Sequence, residues 1–333
     1  MGGRAIQNAR RVTVIEYHTL VDKVSALLRQ TLPGVRFEVI PAYRAKPDFG
    51  DMDILVDRIT LPPDWPQEVE AAFASKEVVA NGPVRSFEFE GFQVDLITVK
   101  TMEFEFALGY FGWNDLGNLI GRIAHKYGFK FGHNGLFYPL RDGDYLVAEV
   151  RVTDEFAQAI NFLGLDPDRW ANGFDTLEEV FAFVASSALF DPAQFPLEHR
   201  SHRARVRDAK RPTYTAFLRW VKERNLSARN AAITAEEMLE AALQRFPAFR
   251  EGLDEARAAQ ASRQVVKNRF NGRLVSEWTG LTGKGLGAFI ADLKNVAGGP
   301  DALQSRVLES EPEEVRVWVQ EQLARATAST AAY

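Results

Sequence analysis

The sequence predicts an α+β fold, and three observations predict it. Two short strand-like runs, Gly50-Asp51-Met52-Asp53-Ile54-Leu55-Val56 and Phe92-Gln93-Val94-Asp95-Leu96-Ile97-Thr98-Val99, set acids into otherwise apolar stretches. Amphipathic helices alternate with further strand-like runs up to about residue 190, and the last hundred residues read as mostly helical. With 333 residues, the chain has length for about two domains and sizeable cores.

Residues 13–30 place Tyr17, Leu20, Val21, Val24, Leu27 and Leu28 on one helical stripe. Pro33-Gly34 stops that helix, and Val35–Ile40 reads as a strand. Gly50 then makes a turn into the strand carrying Asp51 and Asp53. Side chains alternate faces along a strand, so these two carboxylates share one face while Met52 and Ile54 point into the core. Adjacent carboxylates entering a buried strand repel each other and lose hydration, so their charge must be offset. With Asp95 on the second strand the donors are all oxygen, which suits magnesium better than zinc. The alternative is a solvated strand end with exposed acids.

Ile59–Glu90 reads as peripheral: a Pro62-Pro63 turn, a helix near Gln67–Ser75, a polar strand Ser86–Glu90, and Gly91 as the hairpin into the Asp95 strand. Helix 115–126 buries Leu116, Leu119, Ile120 and Ile123 and sets Asp115, Asn118 and Arg122 on a different face. From Phe131 to Val150 short strands follow, with a hairpin signal at Asp142-Gly143. His133 in this region is a ligand, a base or a polar surface residue. Helices are expected at Asp154–Leu163 and, with capping chemistry at Asp175-Thr176, to about Leu189.

Between residues 200 and 229 a basic run that includes Arg200, Arg203, Arg205, Arg207, Lys210 and Arg211 faces only Asp208 and Glu223, with Tyr214, Phe217 and Trp220 interleaved. It reads as a linker and helix able to follow a phosphate backbone, or as a solvated charged face. Thr234-Ala235-Glu236-Glu237 is a capping box. The glycine-rich run Thr279–Gly287 does not meet the P-loop order, and its simplest reading is a turn between helices with left-handed glycines. Ser310–Glu313 caps a last helix with Val315, Val319 and Leu323 inward. The absence of cysteine excludes disulfides, thiolate zinc sites and thiol nucleophiles. No apolar run reaches the roughly 20 residues needed to span a bilayer, and no signal-peptide core is evident at the N-terminus, so the expectation is a cytoplasmic protein without a membrane partner. A formal charge of −5 neither marks nor excludes a nucleic-acid binder.

Taken together, Tyr43-Arg44, Gly50-Asp51-Met52-Asp53 and Val94-Asp95-Leu96 resemble the palm of the DNA polymerase β (family X) branch of the nucleotidyltransferases. That branch carries a GDMD-type aspartate pair and a later VDL- or IDIR-type third aspartate. Tyr110-Phe111-Gly112-Trp113-Asn114-Asp115-Leu116-Gly117-Asn118 is similar to the family's YFTGSDxxN segment. Arg122 falls at its minor-groove arginine and Tyr127–Phe131 on its KGF-type strand. The resemblance spans residues 12–200. It implies a palm over 1–125, a thumb-like α/β region over 126–199, a basic linker and helix over 200–230, and an all-α domain over 231–333, with no room for a lyase domain in front of the palm.

The resemblance also implies roles. Asp51 and Asp53 bridge two Mg2+ ions, for which Mn2+ can substitute, and Asp95 joins them where the attacking 3′-hydroxyl is activated. Arg44 contacts the triphosphate, while Tyr110, Phe111, Asp115 and Asn118 place the nucleotide. Arg122 meets primer or template, and Arg203, Arg205, Arg207, Lys210 and Arg211 are candidates for phosphate-backbone contacts. The implied partners are a nucleoside triphosphate and DNA or RNA; no protein partner is indicated.

The chain departs from the family's pattern in two places. Ile40-Pro41-Ala42 stands where the family has a Gly-Ser pair that holds triphosphate oxygens, and proline has no N–H to donate while alanine has no hydroxyl. Lys46 is a local substitute for that pair; alternatively Arg44 and Lys46 are loop charges in water. Gln93 and Ile97 stand where the polymerases often carry arginines, which leaves more of the neutralisation to bound metal. In the tail, the glycine- and leucine-rich loop before a helix at Leu286–Leu293 is similar to CCA-adding tRNA nucleotidyltransferases. The expected function is therefore metal-dependent transfer of nucleoside monophosphates to a nucleic-acid 3′-hydroxyl with pyrophosphate release, foremost by a polymerase β-like DNA polymerase. Addition to tRNA or RNA 3′ ends is the second reading, and a catalytically inert nucleic-acid-binding module is the third.

Overall fold

A computed structural model describes residues 5–230 and 232–330. The chain divides after Arg250 into two compact units. The boundaries expected at 125, 199 and 230 all fall within the first.

The first unit opens with β1 (Val12–Thr13) and α1 (Val14–Thr31), followed by β2 (Phe37–Val39), β3 (Asp48–Phe49) and β4 (Asp51–Asp57). Next come α2 (Trp65–Phe73), β5 (Val78–Asn81), β6 (Val84–Phe89) and β7 (Phe92–Val99). Helices α3 (Phe104–Phe111) and α4 (Leu116–Lys126) lead to β8 (Lys130–Gly132), β9 (Gly135–Asp142) and β10 (Tyr145–Thr153). The rest is helical: α5 (Phe156–Phe162), α6 (Pro167–Ala171), α7 (Leu177–Ser186), α8 (His202–Ala209), α9 (Pro212–Glu223), α10 (Ala235–Arg245) and α11 (Pro247–Arg269), which continues into the second unit.

The main sheet has the order β2-β4-β7-β6-β5 and is mixed: β4 and β7 run parallel and the other pairs antiparallel. β8, β9 and β10 make a separate antiparallel sheet, in which Gly143-Asp144 forms the two-residue hairpin between β9 and β10. Here Gly143 takes the positive φ that a tight hairpin requires. The fold is thus α+β, as expected.

α1 starts on a reciprocal cap: the Thr13 hydroxyl accepts from the Glu16 N–H, and the Glu16 carboxylate accepts from the Thr13 N–H. Its Tyr17, Leu20, Val24 and Leu28 bury against Met52, Ile54 and Val56 of β4 and Val94 and Leu96 of β7. At about 1.5–3 kcal/mol per large apolar side chain, this layer outweighs the cap by several-fold. It holds β4 and β7 in place.

Two expectations need correction. The strand expected as polar and peripheral at Ser86–Glu90 is β6, with Ser86, Phe87 and Phe89 buried, because its neighbour β7 is central. The basic segment is not a linker: α8 and α9 are ordered helices, and the aromatic side chains Tyr214 and Phe217 are core residues. The Tyr214 hydroxyl donates to the Phe195 carbonyl at 2.6 Å, and Phe217 packs edge-on against Phe181 and Phe195.

The second unit packs α12 (Gly272–Thr279), α13 (Gly283–Ala297), α14 (Pro300–Glu309) and α15 (Pro312–Thr330) around Val275, Phe289, Leu293, Val307, Val315 and Val319. The glycine-rich run covers the α12–α13 turn, with Gly280 at φ 73°, and the first residues of α13, so the helix expected at Leu286–Leu293 starts already at Gly283 and runs to Ala297. No helix among the described residues is long and apolar enough to cross a membrane.

Candidate active site

The parallel register of β4 and β7 sets Asp53 beside Asp95 and Asp51 beside Gln93. Alternation puts these four side chains on the sheet face opposite the α1 layer. Farther along that face Leu55, Ile97 and Val99 are covered by Phe104 and Ala107 of α3. The face is therefore apolar beneath α3 and acidic where both strands begin.

One carboxylate oxygen each from Asp51, Asp53 and Asp95 lies within 4.8 Å of the other two. Asp53 Oδ1 is buried and has no hydrogen-bond partner. Burial, followed by the neighbouring charges of Asp51 and Asp95, pushes the Asp53 carboxyl up to about 8. Burial also raises Asp95, against hydrogen bonds from Ser86 and Gln93 that favour its charged form. Gln93, with no exposed surface, donates from Nε2 to both Asp95 oxygens at 2.9 and 3.0 Å, while its Oε1 accepts from the Ala5 and Ile6 N–H groups. These acids fit a divalent cation of the magnesium class: the donors are hard oxygens, and one of them, Asp53 Oδ1, is orphaned.

Beside the acids lies a cleft of about 730 Å³. Arg11, Tyr17, Lys46, Phe49, Asp51 and Asp53 line it, as do Tyr110, Phe111, Asn114, Asp115, Asn118 and His133. Of the residues expected to place a nucleotide, Tyr110, Phe111, Asp115 and Asn118 are therefore brought together. Tyr110 and Phe111 end α3, and their rings meet edge to face. Phe111 stacks on His133 at 5.9 Å, and burial lowers the His133 pKa, which favours a neutral imidazole there. Trp113 and Asn114 adopt left-handed φ of 59° and 64° to join α3 to α4, and the Trp113 N–H donates to the Pro41 carbonyl at 2.7 Å. Asn114 Oδ1 and Asn118 Nδ2 are buried without partners.

Other expected residues are held elsewhere. Arg44 does not line the cleft; its guanidinium donates to Asp175 and to the Asn172 carbonyl at 2.7 and 2.6 Å. Arg122 is half-buried and donates from Nε and Nη2 to the Gln194 carbonyl at 3.1 and 2.7 Å. Arg207 pairs with the fully buried Asp208, and Arg211 bridges Asp208 and Asp115 while reaching the cleft lining. Arg203, Arg205 and Lys210 remain exposed on or next to α8.

Some cleft residues escape sequence reasoning. Tyr17 belongs to the α1 apolar stripe, yet its ring stacks on Phe49 and reaches the cleft, and its phenol is raised by burial and then by the charges of Asp53 and Asp51. Arg11 pairs with Asp48 and lies over Gly50, where a Cβ would stand 2.7 Å from its Nη1. Strand periodicity carried a signal for Gln93, which sits two residues before Asp95 on the same face. No family model matches the chain, and comparison with curated proteins returns no match.

Proposed function

We propose that the chain is a metal-dependent nucleotidyltransferase that adds nucleoside monophosphates from NTP or dNTP to a nucleic-acid 3′-hydroxyl, with a polymerase β-like palm around β4 and β7. The observation that carries this reading is the convergence of Asp51, Asp53 and Asp95, from two parallel neighbouring strands, within 4.8 Å and beside a cleft large enough for a nucleotide. The three carboxylates would hold two Mg2+ ions, or Mn2+ in their place. Bound there, the ions supply positive charge that favours ionisation of the 3′-hydroxyl and offsets charge on the triphosphate.

The protein's own groups do the positioning. Gln93 fixes both oxygens of Asp95 without adding charge. The Phe111–His133 stack offers an aromatic face to a sugar or base, and Asn114 and Asn118 offer amide groups to its edge. In the reaction the 3′-oxygen bonds to the α-phosphorus, the bridging bond to the β-phosphate breaks, and pyrophosphate leaves. This reading includes a cytoplasmic location, where nucleoside triphosphates and Mg2+ are abundant. Asp95→Ala should abolish incorporation while leaving thermal unfolding close to wild type; retained turnover in that variant would sink the mechanism.

One observation favours a second reading, addition to an RNA or tRNA 3′ end without a template. Arg122, on which minor-groove contact with a template depended, is engaged by the Gln194 carbonyl. Primer extension that follows template sequence, set against growth of RNA ends alone, separates the two.

A further inference from the structure

Three cations line the cleft, and two of them are already held: Arg11 by Asp48 and Arg211 by Asp115. The third is Lys46. Among the described residues it has no ion-pair partner, and its ammonium stands 4.3 Å from the centroid of the Phe49 ring, at the end of the strand leading into Asp51. Lys46 is half-buried; burial lowers its pKa, and the charges of Asp51 and Asp53 oppose that shift most strongly. Pro47 restricts residue 46 to extended backbone, and the Lys46 N–H donates to the Tyr43 carbonyl, so its stem leaves a fixed loop.

Several alternatives on the same loop are committed elsewhere. Pro41 offers no N–H, and its carbonyl is taken by Trp113. Ala42 has no hydroxyl. The N–H groups of Arg44 and Ala45 donate to the Phe174 and Asp175 carbonyls, which commits the loop on that side, and the Arg44 guanidinium follows it to Asp175.

We propose that Lys46 is the cation that receives the triphosphate of the incoming nucleotide, taking over the task for which Arg44 and a Gly-Ser pair would otherwise be expected. The inference rests on the nucleotidyltransferase reading. Lysine suits the place: a compact point charge binds phosphate oxygens without the paired geometry that a guanidinium needs. The Phe49 ring holds the ammonium in the cleft before substrate arrives.

The test is the affinity of the full-length protein, with Mg2+, for an α,β-methylene nucleoside triphosphate and for the matching monophosphate, measured by calorimetry. Lys46→Ala is expected to weaken triphosphate binding about tenfold or more and monophosphate binding less than about twofold. Lys46→Arg should recover part of the loss, and Arg44→Ala should change neither affinity by more than about twofold. In turnover, Lys46→Ala should raise the nucleotide KM more than it lowers kcat. Unchanged triphosphate affinity in Lys46→Ala, or a loss carried by Arg44→Ala instead, overturns the inference. So does tighter Mg2+ binding with unchanged nucleotide affinity, the outcome for a lysine that only neutralises the acids. If the wild-type protein binds no triphosphate, the nucleotidyltransferase reading falls first and takes this inference with it.

Discussion

Gln93 holds Asp95 by both carboxylate oxygens, and residues 5 and 6 hold Gln93 in turn. An amide in this position orients the acid without adding a positive charge that would compete with a cation. Gln93→Ala removes the orientation and leaves the acid in place. The expected result is a loss of about 10–100-fold in kcat or in Mg2+ affinity, as is common when a residue behind a metal ligand is removed. Gln93→Arg should weaken Mg2+ binding by adding positive charge; a metal titration followed by thermal unfolding measures both.

The acids also make stability depend on pH. In the folded, metal-free protein Asp53 keeps its proton up to about 8, whereas the unfolded chain releases it near its ordinary value of 3.8. Between those values the folded state binds the extra proton, so stability falls as pH rises through the window and levels off above it. Mg2+ competes with that proton. The rise in Tm on adding Mg2+ should therefore be larger at about pH 8.5 than at about pH 5.5, and Asp53→Asn should flatten the metal-free profile.

α4 approaches α3 through backbone alone at Gly117, where a Cβ would lie 2.1 Å from the Tyr110 carbonyl oxygen. Gly117→Ala must push the helices apart and carry Tyr110 and Asn118 with them. The expected cost is about 1–3 kcal/mol in urea unfolding, together with a raised nucleotide KM. A variant with wild-type stability and KM would contradict this packing.

The basic segment divides into two groups. Asp208 has no exposed surface and pairs with Arg200, Arg207 and Arg211, so Asp208→Ala strands buried charge and should cost about 3–5 kcal/mol. Replacing the exposed Arg203, Arg205 and Lys210 with alanine should change stability by less than about 0.5 kcal/mol. If these three meet phosphates, the same triple variant lowers the salt dependence of nucleic-acid binding, by a log–log slope of about two to three. An unchanged slope would assign them to solvent.

Much of this was legible in the sequence because it follows local periodicity. Alternation gave the shared face of Asp51 and Asp53, and the apolar stripe gave α1 to within a residue at each end. The meeting of Asp95 with Asp53 depends on a parallel pairing between strands some forty residues apart, which no local pattern specifies. Helix α3 was missed because Phe104–Phe111 is apolar almost throughout and shows little contrast between faces. Charge runs alone leave pairing open: Arg207 and Arg211 read as phosphate contacts, and the sequence does not show that both pair with one buried acid, Asp208. Arg44 was likewise claimed by Asp175, a partner 131 residues away.

The most direct test of the central claim is pyrophosphate release and product length with Mg2+, using dNTPs on a primed DNA template and NTPs on a tRNA lacking its 3′ end, for wild type and Asp95→Ala in parallel. The account predicts Mg2+-dependent pyrophosphate release with growth of at least one of the two substrates, and none with Asp95→Ala. No release on either substrate, or release that survives Asp95→Ala, would contradict it.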